Sequence, residues 1–390
     1  MIRLRFSWLF FLVLTGLTGC GSDRVELLEF DAPPGSSVPR LAVAGETVVL
    51  SYLVESDTGV RLETRKLNGA KWSQPTIVAA GPDLMVNWAD FPSVVPFGHG
   101  LWVAHWLVRA AKDDFAYDAW MSLSRDGGQS WAPASRLHDD RSATEHGFVS
   151  LFEQDNDVGA VWLDGRAFAF GNTKAEMQLF TRTISSAGLI GPERILDARV
   201  CDCCQTDAAI TAEGPIVVYR DRSASEVRDI YAVRQADGHW GVPVRVAEDG
   251  WRIAGCPVNG PAISALGADV VVAWFSARPH HVVRLAFSTD SGQHFAQPIE
   301  VVAGATLGRV DVELLETGKA VVGWLEKGTG RYVVGIVGRE EMSEVHAVIQ
   351  TASHRGAGFP RMVRWRDKLL FSWTDTSGDQ SHVRTASMRL

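Results

Sequence analysis

The stretch PAISALGADVVVAWFSAR, residues 261–278, turns at Gly267 and continues as an unbroken apolar run that closes on Trp274 just before polar residues and Arg278. Val270, Val271 and Val272 are β-branched and the glycine marks a turn, so the segment reads as two antiparallel strands, the second one buried. The second-strand phrase recurs six times: VVLSYLVES at Tyr52, LWVAHWLVR at Trp106, GAVWLDGR at Trp162, PIVVYRDR at Tyr219, AVVGWLEKG at Trp324 and LLFSWTDTS at Trp373. Successive aromatics lie 54, 56, 57, 55, 50 and 49 residues apart.

A shorter strand-like stretch, such as FPSVVPF or AAITAE, precedes each copy, and two more follow, with turn signals such as Asp237-Gly238. No long stretch has helical periodicity. Four short strands per evenly spaced repeat predict an all-β chain folded as a β-propeller of four-stranded blades, one domain over residues 37–390. Seven aromatics predict seven blades. The last copy reaches Leu390 with only three strands, and VELLEFD, residues 25–31, would close the ring and leave no open edge.

Two hairpins add a resemblance. SRDGGQSW (Ser124, Asp126, Gly128, Trp131) and STDSGQHF (Ser288, Asp290, Gly292, Phe295) are similar to the Asp-box, or BNR repeat, of the sialidase superfamily, the second departing at His294. In such a box the aspartate accepts turn amides, the glycine permits the bend and the aromatic packs between strands. The resemblance implies the propeller fold rather than an activity. Sialidases have six blades, so six with a spare pair of strands is the alternative to seven.

The leader MIRLRFSWLFFLVLTGLTGC carries Arg3 and Arg5 ahead of an apolar run too short to span a membrane, which is an export signal over residues 1–19. Leu17-Thr18-Gly19-Cys20 resembles the bacterial lipobox, which implies lipidation of Cys20 and a tether over residues 20–36 that includes the closing strand. The same resemblance implies, through Gly21 in place of an aspartate after the cysteine, the outer membrane of the cell envelope. The formal charge of -8 argues against nucleic acid and anionic lipid surfaces as partners, leaving the lipid anchor as the contact with the membrane.

In an antiparallel blade, the loop from second to third strand and the joint to the next blade open on one face, where propeller ligands gather. That face collects Arg166, Arg220, Arg222, Arg278, Arg309 and Asn259 as candidate ligand-binding residues. It also collects the crowded cysteines of RVCDCCQTDAA, residues 199–209. Cys201 and Cys256 each stand 18 residues before a repeat aromatic, so they share a phase in adjacent blades. In an exported chain Cys201, Cys203, Cys204 and Cys256 read first as one or two disulfides, with Cys256 bonded to one of the three. Two other readings stay open: a copper or zinc site using these thiolates, joined by His146, and a strained Cys203–Cys204 bond acting as a redox switch.

Sialidases hold a substrate carboxylate with three arginines and use a tyrosine activated by a glutamate together with an acidic group. VPRL at Arg40 and FPRM at Arg361 loosely resemble the motif of the first arginine, with proline and arginine in reversed order. Asp90 and Asp207 are the candidate acids. Tyr117 and Tyr231 fall in third strands, which leaves Tyr332 as the candidate nucleophile. Three functions follow from this reading: a lipid-anchored propeller binding an acidic glycan or a soft metal at its cysteine- and arginine-lined face, an exo-sialidase-like glycosidase, or a non-catalytic envelope scaffold with a protein partner.

Overall fold

The computed structural model describes residues 25–28, 30–112, 115–172 and 175–390, so the leader and Cys20 lie outside the described residues. Seven antiparallel sheets stand in a ring. Their innermost strands are Ser36–Ala44, Ser93–Pro96, His146–Gln154, Asp207–Thr211, Ala262–Leu266, Thr306–Leu314 and Arg361–Trp365, which number blades 1 to 7. Blades 1 and 4 each carry one extra two-residue pairing, Lys71–Trp72 and His239–Trp240. The fourth strand of blade 7 is Glu26–Leu27, paired antiparallel with His382–Arg389 through Glu26 opposite Ser387 and Leu27 opposite Ala386.

The repeat period has a packing cause, because every repeat aromatic fills a different seam between blades. Tyr52 packs with Leu370 and Val383 across the seam of blades 7 and 1. Trp106 lies with Val49 and Leu62 between blades 1 and 2. Trp162 joins Val103 and Leu123 between 2 and 3, and Tyr219 joins Val161 and Leu179 between 3 and 4. Trp274, Trp324 and Trp373 fill the next three seams. None of the seven is more than 5% exposed. Several polar ends are tied to carboxylates: Trp162 Nε1 donates to Asp164 at 2.8 Å, Trp274 Nε1 to Asp249 at 2.7 Å, and the Tyr219 hydroxyl to Asp197 at 2.6 Å.

The two hairpins at Ser124–Trp131 and Ser288–Phe295 join third to fourth strands, on the face opposite the inter-blade joints. Asp126 Oδ1 accepts the Ser124 hydroxyl at 2.8 Å and the amides of Gln129 and Ser130, both at 2.9 Å. Asp290 repeats this with the Ser288 hydroxyl at 2.7 Å and the His294 amide at 3.0 Å. Gly128 and Gly292 have φ of 79° and 81°, and a Cβ would lie 2.6 Å from Trp102 or 2.2 Å from Ile216. Trp131 and Phe295 pack against the seams of blades 1/2 and 4/5.

Candidate functional site

Where the innermost strands enter the channel, the chain bulges. The ladder slips between Ser37 and Arg40, between Gly147 and Ser150, and between Gly308 and Asp311. Val38, Phe148, Val258 and Arg309 take left-handed φ of 47°, 53°, 48° and 52°, a costly conformation for bulky side chains. Ties from the preceding blade hold it. The Val38 amide donates to Thr374 Oγ1 at 3.1 Å, the Arg309 amide to Asn259 Oδ1 at 2.8 Å, and the Gly260 amide to Gln205 Oε1 at 2.9 Å. Asp90 makes the equivalent tie to the Phe148 backbone. Asn259 is therefore a buried strut between blades 5 and 6.

Inside the ring, against blades 1 to 4, lies a cavity of about 140 Å³ lined by Arg40, Asp90, Phe91, His105, Gln205 and Asp207, among others. The guanidiniums of Arg40 and Arg361 converge over the Phe91 ring, 5.7 and 4.3 Å from its centroid. Arg40 lies 3.7 Å from Asp207, whose other oxygen accepts the Ile263 amide at 3.0 Å. Arg361 is buried with Nε lacking a hydrogen-bond partner; burial, followed by the charge on Arg40, pulls its pKa down to about 10. His105 Nδ1 meets Ser93 Oγ at 2.9 Å while its Nε2 has no partner, and burial pulls this imidazole down to about 3.

A hydrogen-bonded row leads from this cavity to the outer face. The Tyr117 hydroxyl lies 3.1 Å from Asp90 Oδ2 and 2.6 Å from Glu145 Oε1. Burial pushes Asp90 up to about 7 and Glu145 up to about 8; the Tyr117 hydrogen bond pulls both back, while Asp90 and Asp202 push Glu145 further up. Burial, then both carboxyls, holds the Tyr117 hydroxyl protonated. Gly147 makes room: a Cβ there would lie 1.9 Å from Asp90 Oδ2 and 2.7 Å from the Tyr117 ring.

Glu145 reaches the surface in a depression of about 310 Å³ that it shares with Phe115, Thr144, Phe168, Met177 and Asp202. Phe115 at its rim is 72% exposed, and Phe170, two residues beyond Phe168, is 107% exposed. Burial pushes Asp202 up against the pull of Arg222. Two carboxyls beside the exposed Phe115 ring and the half-buried Phe168 suit a sugar ring, whose C–H faces stack on aromatics while its hydroxyls and linkage oxygens meet acids.

Asp202 sits inside the cysteine run, where the structure divides the predicted ligand set. Cys203 bonds to Cys256 with Cα atoms 5.9 Å apart, tying blade 4 to the approach to blade 5 and withdrawing both sulfurs from any metal. Cys201 and Cys204 are buried free thiols with sulfurs 2.7 Å apart. Burial pushes the Cys201 thiol well up. Burial also acts on Cys204, but the hydrogen bond with Cys201 and the Arg220 charge outweigh it and bring that thiol down to about 7. His146 does not join them: its ring stacks on His138, and its Nε2 lies 3.2 Å from Asp140 and 3.6 Å from Asp164.

Most of the predicted arginines are committed to local partners. Arg166 is held by Asp164 and Glu193, both at 2.7 Å. Arg220 is 1% exposed and donates to the carbonyls of Asn259, Arg228 and Phe275. Arg222 pairs with Glu226 at 2.9 Å and Asp202 at 3.1 Å. Arg278 is exposed and donates to the Gly250 carbonyl at 2.7 Å. Arg309 is buried against Trp88 and Phe359 and donates to the carbonyls of His354 and Gly358. Of the arginines in the chain, the pair that converges beside the cavity is Arg40 and Arg361, not the candidates Arg222, Arg278 and Arg309. Tyr332 is a correction as well. Its ring lies in the seam of blades 6 and 7 at 0% exposure, and its hydroxyl has no partner, so no substrate reaches it.

Sequence reasoning passed over Tyr117 because it belongs to the strand Tyr117–Ser124. It is the first residue of that strand, which puts it at the same face as Glu145, one residue before its blade begins. That positional signal was present in the repeat phase.

No protein-family model and no curated protein matches the chain in sequence. Solved structures share its fold. The polysaccharide lyase Uly1 matches over 90% of this chain and 89% of its own, with TM-score 0.55 and 10% identity. The Hadza microbial sialidase Hz136 matches over 86% of this chain and 74% of its own, with TM-score 0.51 and 11% identity. The chain has a sialidase-like β-propeller fold.

Proposed function

We propose that the protein is a lipid-anchored propeller of the bacterial cell envelope, tethered through Cys20 to the outer membrane, that engages an acidic polysaccharide across its joint-bearing face. A sugar carboxylate would meet Arg40 and Arg361 at the cavity inside the ring. The linkage to be cleaved would lie over Glu145 and Asp202, two carboxyls positioned for acid and base roles. The observation that carries this reading is the row Asp90–Tyr117–Glu145, with contacts of 3.1 and 2.6 Å, which joins an arginine-lined cavity to an aromatic-walled depression. The overall likeness to a polysaccharide lyase and a sialidase supports glycan chemistry as the setting.

The test is retention on immobilised acidic and neutral polysaccharides, comparing the wild type with Arg40→Gln. Wild type should be retained by an acidic chain, and the variant should lose that preference. Equal retention on neutral chains, or a variant that still prefers the acidic one, would refute it. Membrane association is tested separately: Cys20→Ser should move the chain to the soluble fraction of the envelope.

A further inference from the structure

Behind the row, sealed between blades 2 and 3, Asp118, His138 and His146 form a second cluster, each no more than 3% exposed. Asp118 follows Tyr117 and His146 follows Glu145, so the cluster backs directly onto the proposed site. The two imidazoles lie face to face, centroids 3.8 Å apart and planes within 4°.

Their outer contacts assign the ring protons. His138 Nδ1 faces the Asp140 carbonyl oxygen at 3.2 Å, so Nδ1 carries the proton and Nε2 a lone pair. His146 Nε2 is the ring nitrogen nearest to outer carboxylate oxygens, 3.2 Å from Asp140 Oδ2 and 3.6 Å from Asp164 Oδ1, so its proton is assigned there and the lone pair to Nδ1. Both lone pairs face the same carboxylate oxygen: His138 Nε2 is 3.4 Å and His146 Nδ1 3.9 Å from Asp118 Oδ1. The other Asp118 oxygen is occupied by Arg136 Nε at 2.6 Å. Neither His138 Nε2 nor either nitrogen of His146 has a hydrogen bond, although all are cut off from solvent.

Three acceptors facing one another in a dry interior repel unless a cation lies between them. One donor atom from each of the three residues lies within 4.8 Å of the others. We infer that Asp118, His138 and His146 form a binding site for a divalent transition-metal cation of zinc type. Two imidazoles and one carboxylate are a donor set suited to such an ion, leaving a fourth position open. Asp140 and Asp164 then stand behind His146 as the outer carboxylates that orient a ligating imidazole. Because the rings lie parallel, coordination requires one of them to turn so that both lone pairs point at the ion. The ion would brace the residues next to Tyr117 and Glu145, so this is a positioning site for the face rather than a catalytic one.

The test loads chelator-stripped full-length protein with cobalt(II) and, in parallel, zinc(II), reading the visible d–d bands of cobalt and the metal-to-protein ratio by elemental analysis. One ion per chain is expected, with bands lost in His138→Gln and His146→Gln. Asp140→Asn, outside the ligand set and partly exposed, should weaken binding by about 10–100-fold with the far-ultraviolet spectrum unchanged. Cys204→Ser should leave the bands as they are. Failure to bind one ion per chain overturns the inference. So does binding that survives His138→Gln but is lost in Cys204→Ser. Should the histidine variants misfold, unaltered affinity in Asp140→Asn overturns it as well.

Discussion

Replacing Tyr117 with phenylalanine removes one oxygen and leaves a ring that is 1% exposed in place, so no cavity opens and the effect isolates the hydroxyl. That hydroxyl lies 2.6 Å from Glu145 and 3.1 Å from Asp90. Because Glu145 is pushed up to about 8 and so holds its proton near neutral pH, the bond joins uncharged groups and contributes about 0.5–1.5 kcal/mol, and a buried partner left unsatisfied adds a desolvation cost of about 1–3 kcal/mol. Asp90 keeps its tie to the Phe148 backbone, so the loss falls mainly on Glu145. The expected destabilisation of Tyr117→Phe is therefore about 2–3 kcal/mol. The assay is urea unfolding followed by tryptophan fluorescence and far-ultraviolet circular dichroism, with coincidence of the two probes as the check on two-state behaviour. A cycle with Glu145→Gln should show coupling of about 1–2 kcal/mol, because the two side chains share one hydrogen bond. A Tyr117→Phe effect within about 0.5 kcal/mol of zero, together with additivity in the cycle, would refute the row.

Three other perturbations follow from the same structure. Gly147→Ala places a methyl carbon 1.9 Å from Asp90 Oδ2, so retention on acidic polysaccharide should fall with the far-ultraviolet circular dichroism of the all-β fold retained; unchanged retention would contradict the placement of Asp90. Cys256→Ser opens a bond spanning 53 residues, a loop whose closure entropy corresponds to about 4 kcal/mol, and the fall in urea midpoint on adding reductant should vanish in this variant. Glu313, on the innermost strand of blade 6, is pushed from 4.5 up to about 8 by burial and then by Asp311. A raised acid contributes stability that is complete below its ordinary pKa and lost as pH rises through the folded value. The melting temperature of Glu313→Gln relative to wild type should therefore rise between about pH 5 and about pH 9, and a flat difference would contradict it.

The fold was legible because one physical requirement repeats. Each blade needs a large aromatic on its second strand to fill the seam with its neighbour, and Tyr52 through Trp373 satisfy it seven times. Glu26–Leu27 follows from the same logic, since the last repeat lacks one strand. The site was less legible because its residues come from several blades and their pairings are not periodic. Repeat phase puts Arg220 and Arg309 at the inter-blade joints, but nothing in the sequence shows that backbone carbonyls take up their guanidiniums. The bulges at Val38, Phe148 and Arg309 are equally silent: they place non-glycine residues in a left-handed conformation that only the ties from neighbouring blades make tolerable. His146 shows the same limit. One residue after Glu145, it faces the seam of blades 2 and 3 and not the cysteines, because the first residue of an innermost strand alternates away from its predecessor.

The central claim is that Glu145 acts on a polysaccharide bound across this face, and the formation of new reducing ends measures it most directly. Wild-type protein incubated with an acidic polysaccharide should generate reducing ends, whereas Glu145→Gln should retain the chain on a column and generate none above background. Equal reducing-end formation by Glu145→Gln and wild type would contradict the account.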